Sequence, residues 1–164
     1  MLYVHSAPSA LCPHIEWAVA GALGVPVNLP WVIQPAAPGS WRAELSWTAR
    51  PGTAGAITSA LAGWKRLRFE VTEEASAGCD AIRYSYTPAL GTFSCVISAN
   101  GDVLVPESRL RAAITLAACP APGRPAASLE AELAGLMGQP WDDELEPFRC
   151  AADGAPVRWL HATG

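Results

Sequence analysis

Lysine is almost missing from this chain. Lys65 is the only one, and every other basic residue is arginine. Such a bias reflects a GC-rich coding sequence rather than a phosphate-binding surface. Charge is sparse altogether: charged residues are 16% of the 164, and the net charge is −4. That balance argues against non-specific binding to nucleic acid or to an anionic membrane, both of which need a basic field. A long hydrophobic run is lacking too, because Pro26, Asn28 and Pro30 interrupt the apolar stretch from Ala18 to Ile33, which is too broken for a membrane-spanning helix. The first residues show neither the basic nor the apolar region of a signal peptide. Cys12, Cys79, Cys95, Cys119 and Cys150 are odd in number and never form a C-x-x-C pair. Zinc ribbons and disulfide scaffolds are set aside on that ground, and the expectation is free thiols in a reducing cytoplasm. No G-x-x-x-x-G-K-[ST], G-x-G-x-x-G or G-x-S-x-G motif occurs. Nucleotide hydrolysis, dinucleotide redox chemistry and serine-hydrolase activity therefore lack support.

What the chain has is hydrophobic bulk. Hydrophobic residues reach 51%, which excludes a disordered chain, and the length suits one domain with a real core. Much of that bulk is alanine, so burial energy rests on the larger residues, seven tryptophans among them.

The pattern along the chain is mixed. Leu2 to Ser6 reads as a strand, and Pro13 opens a helix whose core stripe is Ile15, Val19, Ala22 and Leu23, with Gly24 as its cap. Val27 to Gln34 is an apolar segment that Pro30 demotes to an edge strand. In Trp41 to Thr48, Trp41, Ala43, Leu45 and Trp47 alternate with Arg42, Glu44 and Ser46, the period of a half-buried strand. Thr53 to Trp64 reads as a second helix, and Leu67 to Thr72 alternates again. The order is β-α-β-β-α-β, a ferredoxin-like unit with its first and third strands in the middle. A β-meander follows through Ile82, Tyr84, Tyr86, Phe93, Cys95 and Ile97, with Asn100-Gly101 as a two-residue hairpin signal before a strand from Asp102 to Val105. Pro106 then opens a helix to Ala118. The fold class expected is α+β: a ferredoxin-like βαββαβ unit, a β-meander and C-terminal helices. Residues 1–118 form the core domain, 119–127 (CPAPGRPAA) a Pro-rich linker, and 128–164 a helical extension packed on the core, with a last strand over Val157 to His161.

Four strings, YVHSAPSALCPHIEWAVAGALG, GSWRAELSW, LRFEVTEE and GDVLVPESRLRAA, resemble an actinobacterial family, domain-of-unknown-function family 3145. The likeness runs from Tyr3 to about Ala118 and more loosely beyond. It implies an actinobacterial cytoplasmic protein and carries over no catalytic residues. Members of the family are sometimes encoded beside type II fatty-acid synthesis genes, which makes that machinery the first partner class to test.

Three constellations could carry chemistry. His5, Cys12, His14 and Glu16 are all metal-ligand types, but His14 and Glu16 lie about 200° apart on a helix, so they cannot share one ion. No metal or cofactor is expected. The same group reads as a nucleophile site, with Cys12 activated at a helix N-terminus and His5 or His14 as base; an inert buried cysteine is the simpler reading. Second, Tyr3 and His5 share the polar sheet face with Arg42, Glu44, Arg68 and Glu70. Cross-strand Arg–Glu pairs on a solvated face account for those charges, and the functional alternative is a platform for a ligand or partner. Third, the acidic segment from Trp141 to Glu146 lacks the calcium-loop pattern and reads as a solvated helix start or a partner-docking segment. The functional expectation is a non-enzymatic cytoplasmic protein that binds another protein, with no catalytic residues. The alternative is a small-molecule or acyl-group binding domain, or an enzyme, with its site at the first strand-to-helix junction.

Overall fold

In the computed structural model, residues 1–119 and 128–150 are described. They form a mixed α+β structure around one antiparallel seven-stranded sheet, in the order β2-β3-β1-β4-β5-β6-β7. The linker from residue 120 to 127, the tail from 151 and the expected strand at Val157 to His161 lie outside the described residues.

Alternation sets the strands. β1 (Leu2–Pro8), β3 (Ser40–Leu45) and β4 (Arg68–Glu73) put Leu2, Val4, Ala43, Phe69 and Val71 on one face. α1 (Cys12–Leu23) and α2 (Thr53–Leu61) pack on that face through Ile15, Val19, Ala54, Ile57 and Leu61. Each fully buried Leu, Ile or Phe contributes about 1.5–3 kcal/mol. Pro13 falls in the first turn of α1, and Gly24 caps it with φ of 73°. β1 and β3 are central among the first four strands, as the βαββαβ pattern requires. β2, however, shrinks to Val32–Ile33, so the unit departs from a regular ferredoxin-like one. Pro26 and Pro30, which donate no backbone hydrogen bond, flank the stretch that fails to extend. α2 likewise ends at Leu61 rather than Trp64.

The meander extends the sheet instead of folding across it: β5 (Ala81–Thr87) pairs with β4, β6 (Gly91–Ile97) with β5, and β7 (Val103–Leu104) with β6. At the β6–β7 turn Ser98 N–H donates to Asp102 O at 2.8 Å and Gly101 holds φ of 88°. Three residues, not two, therefore close this hairpin, with glycine at the left-handed position.

Three helices follow: α3 (Glu107–Ala118), α4 (Leu129–Met137) and α5 (Gln139–Cys150). Ser128 caps α4 by accepting Ala131 N–H at 3.1 Å. α5 lies across β1 and β5 on the face opposite α1 and α2. Leu145 is wholly buried there, Trp141 packs on Phe93 with ring centres 5.0 Å apart, and Trp141 Nε1 donates to Gly91 O at 2.9 Å. The sheet is thus a middle layer with helices on both faces.

Gly138 turns the chain from α4 into α5 with φ of 83°, and a Cβ there would run into the Phe93 ring. Gly138→Ala is expected to destabilise by about 1–3 kcal/mol through strain and overpacking. Urea unfolding checks this as a lower midpoint with an unchanged slope.

Candidate functional site

β1 carries the first clue. Its register against β3 changes between Val4 and Ala7, and against β4 between Val4 and Ser6. One extra residue, a β-bulge, sits at His5. Bulges re-aim side chains and leave a backbone group out of the ladder. Both effects are visible. The His5 ring reaches Glu70, and the His5 carbonyl accepts from Gln34 Nε2 at 2.6 Å. Gln34, fully buried, also donates to Phe148 O at 3.1 Å, tying the bulge to α5.

Glu70 is the centre of the face. It is 0% exposed, and each oxygen accepts twice. Oε2 takes His5 Nε2 at 2.7 Å and Arg149 Nε at 2.9 Å. Oε1 takes Arg149 Nη2 at 2.5 Å and Ser85 Oγ at 3.2 Å. A carboxylate offers about four lone-pair sites, and all are used, two of them by the bidentate fork of one arginine. Burial alone would raise the Glu70 pKa, but hydrogen bonds and charge from His5 and Arg149 outweigh it and hold the carboxyl at about 2. Because ionised Glu70 only accepts, His5 Nε2 carries the proton between them.

The network continues outward. Arg149 Nη2 reaches Asp142 Oδ1 at 2.8 Å, and Arg83 Nη2 reaches Asp142 Oδ2 at 3.3 Å. Arg68 pairs with Glu144 at 3.2 Å and lies 4.6 Å from the centre of the Phe148 ring. Burial opposes the charge of Arg149, yet its bonds to Glu70 and Asp142 raise its pKa further.

The expected platform residues therefore separate into groups. Tyr3, His5, Arg42 and Glu44 line one small cavity with Phe148 and Arg149, while Arg68 and Glu70 share the same sheet face. That face is not simply solvated, as the sequence suggested: α5 covers Arg68 and Glu70, which pair with Glu144 and Arg149, while Arg42 stays half-buried and Glu44 exposed. The cavity holds only 20 Å³, room for about one water. Burial, with Glu44 and Glu70 nearby, pushes the Tyr3 hydroxyl pKa up.

Cys12 and His14 do not join this group. They sit on α1, across the sheet from His5. Cys12 is buried with Sγ 3.7 Å from Pro8 O. Burial and Glu16 raise its pKa, opposite to the activation expected of a helix N-terminus. His14 packs edge-on against Trp17 at 5.2 Å and Trp64 at 6.5 Å. Glu16 is occupied as well, accepting Leu29 N–H at 2.8 Å and Trp31 Nε1–H at 3.0 Å. Among the described residues, no group of three or more His, Cys, Asp or Glu side chains is placed to hold a metal ion.

The acidic segment lies in the first half of α5, where Asp142 and Glu144 engage the sheet's arginines while Asp143 and Glu146 are exposed. Asp142, part of the acidic segment noted above, joins the network together with Arg149, Arg83, Ser85 and Gln34, which were not singled out from the sequence. The signal was there: Trp141, Leu145, Phe148 and Arg149 recur at i, i+4, i+7 and i+8, a helical stripe. Pro147 hid it, since proline within a helix removes one hydrogen bond, yet α5 continues through it.

This chain belongs to the family described as "Protein of unknown function (DUF3145)", which it matches over residues 1–162. The match spans both layers of helices and the network between sheet and α5, so the whole arrangement lies within one family unit. No curated protein and no solved structure matches the chain.

Proposed function

We propose that this protein does no chemistry of its own and acts by binding another protein, with the outer face of α1 and α2 as its contact surface. The observation that carries this reading is Trp17. It is 70% exposed on a helix whose only charged residue, Glu16, is already bonded to Leu29 and Trp31. Pro13, His14 and Gly21 share the exposed side of α1, and α2 has no charged residue at all. Interface centres are depleted in charge and enriched in aromatics, and the exposed Trp17 on these charge-poor helices fits that composition. His14 acts here by bracing the Trp17 ring, in place of the catalytic part considered for it.

The saturated Glu70 supports the same reading from the other side. A carboxylate with every lone pair engaged, beside a cavity for one water, offers no room for a substrate. The alternative, a small-molecule, acyl-group or enzymatic site built from His5, Cys12 and His14, lacks a converging set of side chains. We take the host to be actinobacterial and the compartment to be the cytoplasm, which the unpaired Cys12, Cys79, Cys95 and Cys119 support. On the family resemblance alone, an enzyme or complex of fatty-acid synthesis is the partner to test first.

The test is a quantitative pull-down from native lysate with mass spectrometry, repeated with Trp17→Arg. A stoichiometric partner should be retained by the wild type and lost from the variant. The variant's unfolding midpoint should stay within about 0.5 kcal/mol, as for ordinary surface changes. Absence of any stoichiometric partner, or equal retention by the variant, overturns the proposal.

A further inference from the structure

The end of β1 opens on a second concavity, distinct from both surfaces above. Its volume is 330 Å³, and its cationic lining is Lys65, Arg66 and Arg68. The lysine is the chain's only one. Among the described residues no carboxylate lines the cleft, although the protein as a whole carries a net charge of −4. Sheet topology explains the gathering. β1 runs between β3 and β4, Ser6 is paired with Arg68, and Pro8 with Ser40. Both serines therefore reach the same rim, and the turn from α2 into β4 delivers Lys65 and Arg66 beside them.

The cations are not spent internally. Among the described residues the side chains of Lys65 and Arg66 have no ion-pair or hydrogen-bond partner. Arg68 is neutralised by Glu144 at 3.2 Å, yet its buried Nε has no partner among the described residues. Two uncompensated positive charges remain. Pro8, Pro38 and Pro88 form rigid apolar walls beside them.

We infer that this cleft binds the phosphate group of a small molecule. A phosphate monoester carries close to two negative charges at neutral pH, which matches two free cations better than a single carboxylate does. Its oxygens also suit the Ser6 hydroxyl and the arginine donors, whereas the Ser40 hydroxyl already donates to Ala37 O at 2.7 Å. The cleft's size falls at the lower end of the range for small ligands, about 300–1,000 Å³. A concave site favours an inserted group over an acidic protein surface, which would fit a flat patch. The site is independent of Trp17, which lies on the outer side of α1, so this inference and the protein-binding proposal stand or fall separately.

Inorganic phosphate and pyrophosphate, titrated at constant ionic strength into the full-length chain and followed by backbone amide NMR, test the inference. Saturable shifts are expected at Ser6, Ser40, Lys65 and Arg66, with tighter binding of pyrophosphate. In Lys65→Gln/Arg66→Gln the affinity should fall at least tenfold while the melting temperature holds. Identical shifts with sodium chloride of matched ionic strength, or unchanged affinity in the double variant, overturn it. So does saturation by polyglutamate but not by phosphate, which would assign the cleft to an acidic protein.

Discussion

Glu70→Gln is expected to destabilise the protein by about 3–5 kcal/mol, the usual cost of removing one partner from a buried ion pair. The loss exceeds that of a surface salt bridge, about 0–1 kcal/mol, because Arg149 stays behind, buried and without its fork acceptor. Glutamine also turns an amide N–H₂ towards groups that all donate. Urea unfolding gives the magnitude. Hydrogen exchange gives the location, and α5 amides should lose protection before those of β4. A cost below about 1 kcal/mol would mean that apolar contact through Trp141, Leu145 and Phe148 seats α5 without the network.

The same residue sets an acid limit. Its folded pKa of about 2 lies below the ordinary value of 4.5. A depressed carboxylate contributes stability that is complete above the unfolded pKa and disappears as pH falls through the folded one. The melting temperature should therefore drop steeply from about pH 4.5 towards pH 2. In Glu70→Gln that component should be missing, so its profile in this window should be flatter than the wild type's. Equal slopes would assign the acid sensitivity to other carboxylates.

Phe69→Ala should be comparably severe, at about 3–5 kcal/mol. Phe69 precedes Glu70 on β4 but faces the other way, wholly buried among α1 and α2 contacts and stacked on Tyr86 at 5.0 Å. Truncation removes that ring pair and leaves a cavity in the largest packed cluster. Domains of this size are stable by about 5–15 kcal/mol, so the variant should unfold at markedly lower urea. Fluorescence and circular dichroism transitions that remain coincident would show that both faces of the sheet unfold as one unit. A wild-type midpoint would refute the core assignment.

The helical face of the sheet was legible because periodicity reports burial against apolar neighbours. Trp41, Ala43 and Leu45 alternate on β3, and Ile15 and Val19 recur on α1. Extent was harder to read: β2 keeps two residues of the eight expected, since an apolar run does not tell whether its backbone finds a partner. The polar face was half legible. Placing Tyr3, His5, Arg42, Glu44, Arg68 and Glu70 together needs only period two. That the face is covered depends on α5, which approaches from far along the chain. Alternation labels a face polar, but it cannot distinguish charges facing water from charges facing a charged helix. His5 was the sharpest suspect for chemistry, and the bulge makes its geometry special. Its task is to hold Glu70.

The bond from Glu70 to Arg149 spans 79 positions, and this has a consequence for synthesis. A ribosome delivers β1 and β4 well before Arg149, so the seven strands can pair while their future cover is still being translated. During that interval the uncovered face shows water His5, Glu70, Arg83 and Ser85 beside Phe93, not a row of leucines. A growing chain thus exposes a face that hydrates rather than sticks to its neighbours. Until α5 docks, the ion network that later costs desolvation is a hydrated surface.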